Sequence, residues 1–470
     1  MKRVLFVTLS VIAAAAMTFS VAAAGNPFAR LTSTVDGYST WDADMINVEA
    51  IDQTGEGVYV AVLDTGLVAN WQDYFPKDRV NTALGTGFDQ PVSMSPGKDP
   101  CEIDVSVGRL HQTTWVGSTG SSHGTHVAST IIGYFYRSNS DAAGGFPLPP
   151  IVVRGIAPKV TIIPVKVLAD YQVPAMPKCD GGHPAESVVF GTDEMVAAGI
   201  NYATDLAIAG YRPMVINMSL GGGELIDAEK DAIDRAIENG VIVVASAGNE
   251  GEQGMGYPGA YEPVISAGSV GWIGEWLKPD VTTGTARYRM FWLQYPFPPV
   301  LAGTGDVPDP ASADDVYLSD FSSRALLEGN EEDFVVQDLD VLAPGSWVRG
   351  PFAGDPGFSH LPWWSGGIAD LVGRNPGNFY YVGGTSMAAP HVSAAAALLL
   401  QQDEQLEQAD IDNILSSTAL TIPSADSQSV FDINLPGMAP ITWDTDCDGN
   451  LCDPVGAGLI QLDAAMEAVP

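Results

Sequence analysis

The chain is short of positive charge. Its 470 residues include 21 lysines and arginines against 57 acidic residues, a formal net charge of −36. A surface so acidic repels phosphate backbones and anionic bilayers, which argues against nucleic-acid binding and peripheral membrane attachment. It keeps a protein soluble and suits high salt, where self-repulsion is screened. Cysteine is also scarce: Cys101, Cys179, Cys447 and Cys452 are all there are, and none sits beside a recognisable base, which argues against a thiol nucleophile. Four cysteines in an exported chain allow three pairings. The expected one closes the short loop Cys447–Cys452 and leaves Cys101–Cys179. Long apolar runs are missing after the first two dozen residues. The best later stretch, Val392 to Leu400, is interrupted by Ser393 and stops at Gln401, too short to span a bilayer.

The N-terminus does hold such a run. Lys2 and Arg3 precede a mostly apolar stretch from Val4 to Val21, and Ala22-Ala23-Ala24 supplies small residues of cleavage-site type. This pattern predicts a secretory signal peptide over 1–24 and a secreted product, extracellular or periplasmic, with no membrane contact after cleavage. A short polar lead follows over 25–40.

From Trp41 onward the pattern is of buried strands alternating with helices. Gly57 to Asp64, Val160 to Leu168, Met214 to Ser219 and Val241 to Ala245 are continuous apolar, β-branched runs, as expected of strands covered on both faces. Thr192 to Ala209 and Asp227 to Asn239 carry apolar residues at helical spacing, with Asp227 the expected cap of the second and Gly240 its stop. The fold class is therefore α/β, three-layered, with a mostly parallel doubly wound sheet flanked by helices. Two stretches break the rhythm, near 272–318 and 350–378. Both are read as surface insertions in one domain over 41–470.

Three segments carry reactive groups. Val62-Leu63-Asp64-Thr65-Gly66 sets a carboxylate at a strand end. Ser122-His123-Gly124-Thr125-His126 sets an imidazole at the start of an apolar helix. Gly383-Gly384-Thr385-Ser386-Met387-Ala388-Ala389-Pro390 sets a hydroxyl at the start of another, with Thr385 as the expected N-cap and Pro390 in or near the first turn. A serine is a poor nucleophile unless a base takes its proton and a third group holds that base. His123 can be the base and Asp64 its orienting partner. Helix N–H groups at Ser386 and the side-chain amide of Asn249, in Ser246-Ala247-Gly248-Asn249-Glu250-Gly251, can receive an oxyanion. His126 is read as structural. His111, His183, His360 and His391 are not spaced as a zinc site.

These motifs resemble the subtilisin-like serine proteases, the subtilases, in the chain order Asp, His, Ser. Gly155-Ile156-Ala157-Pro158, Val165-Lys166-Val167-Leu168, Asp340-Val341-Leu342-Ala343-Pro344-Gly345 and Gly456-Ala457-Gly458-Leu459-Ile460 extend the resemblance to the C-terminus. The resemblance implies a serine endopeptidase that works through an acyl-enzyme, needs no cofactor for its chemistry, acts on protein or peptide substrates and is a monomer. It implies that Ser219-Leu220-Gly221 pairs with extended substrate as an added strand. It further implies that Ser246-Ala247-Gly248 form a wall of the primary pocket and that Gly256 lies at its base. A base without a side chain predicts a preference for large apolar or aromatic residues before the cut. An esterase is the rival reading, but Ser386 lacks the Gly-x-Ser-x-Gly elbow. A binding protein on the same fold is the other, but no triad member is missing.

Calcium is the one cofactor the sequence raises. Asp444-Thr445-Asp446-Cys447-Asp448-Gly449-Asn450 alternates acids and then turns at glycine, like the first half of a calcium loop, yet Val455 stands where that loop needs glutamate. Asp444, Asp446 and Asp448, with Asp453 as a substitute ligand, read equally as a calcium site and as a solvated disulfide loop. Asp73 matches an acidic calcium ligand that subtilases commonly carry, but the second loop of that site, Ser138 to Val153, departs from the pattern. The resemblance also implies a folding-assisting segment ahead of the catalytic region, for which Gly25 to Thr40 is too short.

Overall fold

A computed structural model describes residues 31–99, 101–117, 121–136, 151–176, 184–273, 307–309, 311–328, 335–352, 379–423, 427–431, 440–444 and 451–470. Its frame is a nine-stranded sheet. In chain order the strands are β1 (Tyr59–Asp64), β2 (Thr86–Asp89), β3 (His111–Thr113), β4 (Thr161–Lys166), β5 (Met214–Met218), β6 (Val241–Ser246), β7 (Ile265–Trp272), β8 (Val316–Leu318) and β9 (Val341–Pro344). They lie in the order β8-β7-β6-β5-β1-β4-β2-β3, with β9 also paired to β7. Every pairing is parallel except at the edges, where β8 and β3 run antiparallel to their neighbours.

Strand alternation builds the three layers. Val60 and Val62 pack into one core with helix α1 (Ser122–Ile132) and helix α4 (Thr385–Gln402). Ala61 and Leu63 point the other way, into a core with α2 (Asp193–Ile208) and α3 (Asp227–Glu238). Successive side chains of a strand face opposite sides, so both faces of a central strand are covered. That is why β1, β5 and β6 read as largely hydrophobic runs, with Asn217 the one amide in β5. Leu63 is fully buried, and truncating such a side chain to alanine costs about 2–5 kcal/mol.

The helix ends differ in detail from the sequence reading. Thr192 caps α2 by accepting from the Met195 N–H at 3.3 Å. At α3 the capping position is Ile226, and Asp227 is the first helical residue, favourable there through the helix dipole rather than as a cap. At α4 the capping position is Gly384, not Thr385, and Pro390 lies in the second turn. The first expected insertion has both ends tied into the sheet, Trp272 in β7 and Val316–Leu318 as β8. Residues 274–306 and 353–378 lie outside the described residues. No helix among those described is long and apolar enough to cross a membrane.

Candidate active site

β1 ends at Asp64 in the middle of the sheet, where parallel α/β folds collect their reactive groups. The chain returns at α1, whose second residue is His123. His123 Nδ1 lies 2.9 Å from both Asp64 carboxylate oxygens. Asp64 is fully buried, and its Oδ1 also accepts the Thr65 N–H at 2.6 Å. With Nδ1–H donating to the carboxylate, Nε2 is left as the acceptor. Burial opposes the imidazolium. The charge of Asp64 and its hydrogen bond outweigh that cost and raise the His123 pKa above the ordinary histidine value.

The packing that permits this contact is tight. A Cβ on Gly124 would stand 2.4 Å from the Gly66 carbonyl oxygen and 3.0 Å from Asp64 Oδ1, so only glycine lets α1 approach the strand end. Thr65 Oγ1 accepts the Gly124 N–H at 3.0 Å, and Ser121 Oγ donates to the Thr65 carbonyl at 3.0 Å.

Ser386 is the second residue of α4. The first N–H groups of a helix have no partner inside it. Asn249 Oδ1 accepts one of them, from Thr385, at 2.8 Å, and lies 3.0 Å from the Thr385 hydroxyl. With its oxygen so engaged, the Asn249 Nδ2 donors are free to serve the cleft, beside the Ser386 N–H. Behind Asn249, Glu250 Oε2 accepts the Asn249 N–H at 2.6 Å and the Ser323 hydroxyl at 3.1 Å, fixing the loop.

Pro390 has a use at its place in the second turn. It has no N–H to give the carbonyl four residues back, which is that of Ser386. This carbonyl instead accepts the Ser219 hydroxyl at 2.8 Å. Ser219 Oγ accepts from Asn217 Nδ2 at 3.1 Å, and Asn217 Oδ1 accepts from the Ser393 hydroxyl at 2.9 Å. Asn217 and Ser393 are fully buried. They are functional-support residues that the sequence reading passed over. The available signal was one amide inside an otherwise apolar strand. Such a group must be hydrogen-bonded in the folded state. The Ser386 hydroxyl itself donates to the Ser219 carbonyl at 3.2 Å.

One cleft of ≈ 470 Å³ brings together His123, Ser219, Leu220, Gly221, Asn249 and Ser386. Asp64 stands behind His123. Ser246, Ala247, Gly248 and Gly256 adjoin this cleft and are tied to its residues by hydrogen bonds. Ser246 Oγ donates to the Leu220 carbonyl at 3.1 Å, Gly248 N–H to Thr385 Oγ1 at 3.2 Å and Gly256 N–H to the Ala247 carbonyl at 2.9 Å. A Cβ on Gly256 would meet the Gly222 carbonyl at 3.1 Å, so this glycine sits against the edge segment.

A further cleft residue escaped the sequence reading. Glu229 lines the cleft from the first turn of α3 and is 5% exposed. Burial, and then the charge of Asp193, push its carboxyl up to about 7. The signal was positional: 229 falls on the same helical stripe as the buried Ala232, Ile233 and Ala236.

Of the calcium candidates, Asp73 is exposed and accepts from Asn70 Nδ2 at 3.2 Å. Asp453 turns its Oδ1 to the N–H groups of Val455 and Gly456, both at 2.9 Å. The backbone of Asp444 closes a hairpin strand opposite Ser427. Asp446 and Asp448 lie outside the described residues, and no group of three or more acidic, histidine or cysteine side chains among those described could hold a metal. Cys101 and Cys452 are disulfide-bonded. Cys179 and Cys447 lie outside the described residues.

Comparison with known proteins agrees with this geometry. A family model described as "Subtilase family" matches residues 55–439. Fervidolysin of Fervidobacterium pennivorans is 27% identical over 417 residues, covering 88% of this chain and 41% of that protein. Subtilisin DY of Bacillus licheniformis is 28% identical over 380 residues, covering 80% of this chain and 88% of its own length. Among solved structures, sphericase superposes with a TM-score of 0.50 at 22% identity, over 91% of this chain and 99% of its own, a likeness of fold.

Proposed function

Taking as premise that the chain belongs to the subtilase family, we propose that it is a secreted serine endopeptidase that hydrolyses peptide bonds through an acyl-enzyme. The observation that carries this reading is the 2.9 Å contact of His123 Nδ1 with Asp64, made in the same cleft as Ser386. Extended substrate adds as a strand along Ser219-Leu220-Gly221. The Ser386 hydroxyl leaves the Ser219 carbonyl, turns to His123 Nε2 and attacks the scissile carbonyl carbon as His123 takes its proton. Asp64 holds the tautomer and stabilises the imidazolium. Asn249 Nδ2 and the Ser386 N–H receive the oxyanion. His123 then returns the proton to the leaving amine, and water repeats the sequence to release the acid. Every step uses groups of this chain.

A preference for large apolar or aromatic residues before the cut follows from the glycine at 256. Peptides varied there to Phe, Leu, Ala and Lys test it, with Lys as the best residue the adverse result. Pairing of Cys447 with Cys452 and Cys101 with Cys179 belongs to the same reading and is checked by non-reducing peptide mapping. Calcium at Asp444, Asp446 and Asp448 is checked by calorimetric titration against an Asp446→Ala, Asp448→Ala variant. For the function itself, a denatured protein is digested by wild type and by Ser386→Ala, and the cut sites are mapped by mass spectrometry. Equal digestion by both proteins would overturn the reading.

A further inference from the structure

The reactive groups occupy one end of the cleft, and the other end has a different chemistry. There the first turns of α2 and α3 bring Asp193 and Glu229 to the same cavity as Leu168, Phe190, Val196 and Leu220. Glu229 is 5% exposed. Among the described residues its carboxylate has neither a hydrogen bond nor an ion pair. The cations nearest in sequence are already used. Lys230 lies 3.0 Å from Asp234 and stands over the Tyr261 ring, and Arg235 binds Asn201 Oδ1 at 2.9 Å and Asp205 at 2.5 Å. A carboxylate withdrawn from water without a partner costs several kcal/mol. Among the described residues Glu229 is paired with nothing, and yet it faces the cleft.

We propose that this end of the cleft is a specificity subsite for a basic substrate side chain, with Glu229 receiving the ammonium or guanidinium and Asp193 reinforcing it from the rim. The chemistry of the walls fits such an occupant. Lysine and arginine carry an apolar stem below a charged head, and here apolar walls lead to a carboxylate at depth. The exposed Glu224 adds negative potential at the entrance. The inference rests on the endopeptidase reading, in which extended substrate adds as a strand along the segment starting at Ser219. Counting one substrate residue per residue of that segment, from the residue before the cut at Ser219, sets the fourth residue beside Gly222, at the turn into Glu224 and α3.

The test uses four fluorogenic peptides that differ only at the fourth residue before the cut: lysine, arginine, norleucine or glutamate. At pH 8 and low salt, lysine and arginine are expected to exceed norleucine in kcat/KM by about tenfold, the scale of one charge-assisted hydrogen bond. Glutamate is expected to be the poorest. In Glu229→Gln the lysine-to-norleucine ratio should fall to within about twofold of unity, and Asp193→Asn should lower it by a smaller factor. Wild type that cuts norleucine as well as lysine overturns the subsite, as does a ratio unchanged in Glu229→Gln. Should that variant not fold, by circular dichroism, a ratio indifferent to Asp193→Asn overturns it instead. Failure of wild type to cut any of the four peptides, with denatured casein also intact, refutes the endopeptidase reading and takes the subsite with it.

Discussion

A buried carboxylate serves each end of the cleft, Asp64 from behind His123 and Glu229 from the wall, and the two are treated in opposite ways. Asp64 is fully buried and amply partnered, by the Thr65 N–H and the His123 ring. Glu229 is almost as buried and has no partner among the described residues, and its carboxyl is pushed up to about 7. Burial alone does not fix what an acid does; the donors around it do. At the reactive end the donors are built in, so the charge is ready before substrate arrives. At the far end the protein leaves the charge unsatisfied.

That contrast breaks first at the reactive end. Ser386→Ala should lower kcat by about a million-fold, leaving only binding and the oxyanion donors to act, as read by single-turnover hydrolysis of a chromogenic peptide. Asp64→Asn keeps the shape but favours the wrong imidazole tautomer, and should cost about 10⁴-fold in kcat. The same variant sharpens the comparison through pH. Wild type needs neutral His123, so its activity should be lost as pH falls through a pKa raised above the ordinary histidine value. In Asp64→Asn the residual activity should persist to lower pH. Asn249→Leu removes one oxyanion donor and should cost about 10²–10³-fold in kcat with little change in KM.

The smallest expected effect lies at the far end and is one of stability. The folded state holds the Glu229 proton to about 7, whereas the unfolded chain loses it near the ordinary glutamate value of 4.5. The group therefore withdraws stability as pH rises through that window. Glu229→Gln should be more stable than wild type by on the order of 1–3 kcal/mol above pH 7, with the gap closing below pH 4.5. Urea melts at pH 4, 6 and 8 measure it. A gap that does not change with pH would mean that packing, not charge, separates the two proteins.

What could be read from the sequence followed from how each group is buried. β1, β5 and β6 were legible because a strand covered on both faces is apolar at nearly every position. Asp64, His123 and Ser386 were legible because each ends or begins such an element within a recognisable motif. Asn217 and Ser393 were not, because a satisfied polar residue in an apolar run looks like a lapse until its partner is seen. Glu229 was hidden among the charges of Asp227-Ala228-Glu229-Lys230-Asp231, where only its register with Ile233 and Ala236 separates it from solvated neighbours. The cap of α4 was read as local, on Thr385, but it comes from Asn249, 136 residues earlier.

Pro390 carries a last consequence. By giving up one rung of its own ladder, α4 gains a fastening to the edge segment, since the vacated Ser386 carbonyl is held by Ser219. The nucleophile and the rail that guides the peptide are thus clamped into one piece. A displacement of the segment after β5 would carry the serine with it, and their spacing would be conserved. Pro390→Ala would bring a second donor to the Ser386 carbonyl, so that helix and rail would share one oxygen and the hold of Ser219 on it would weaken.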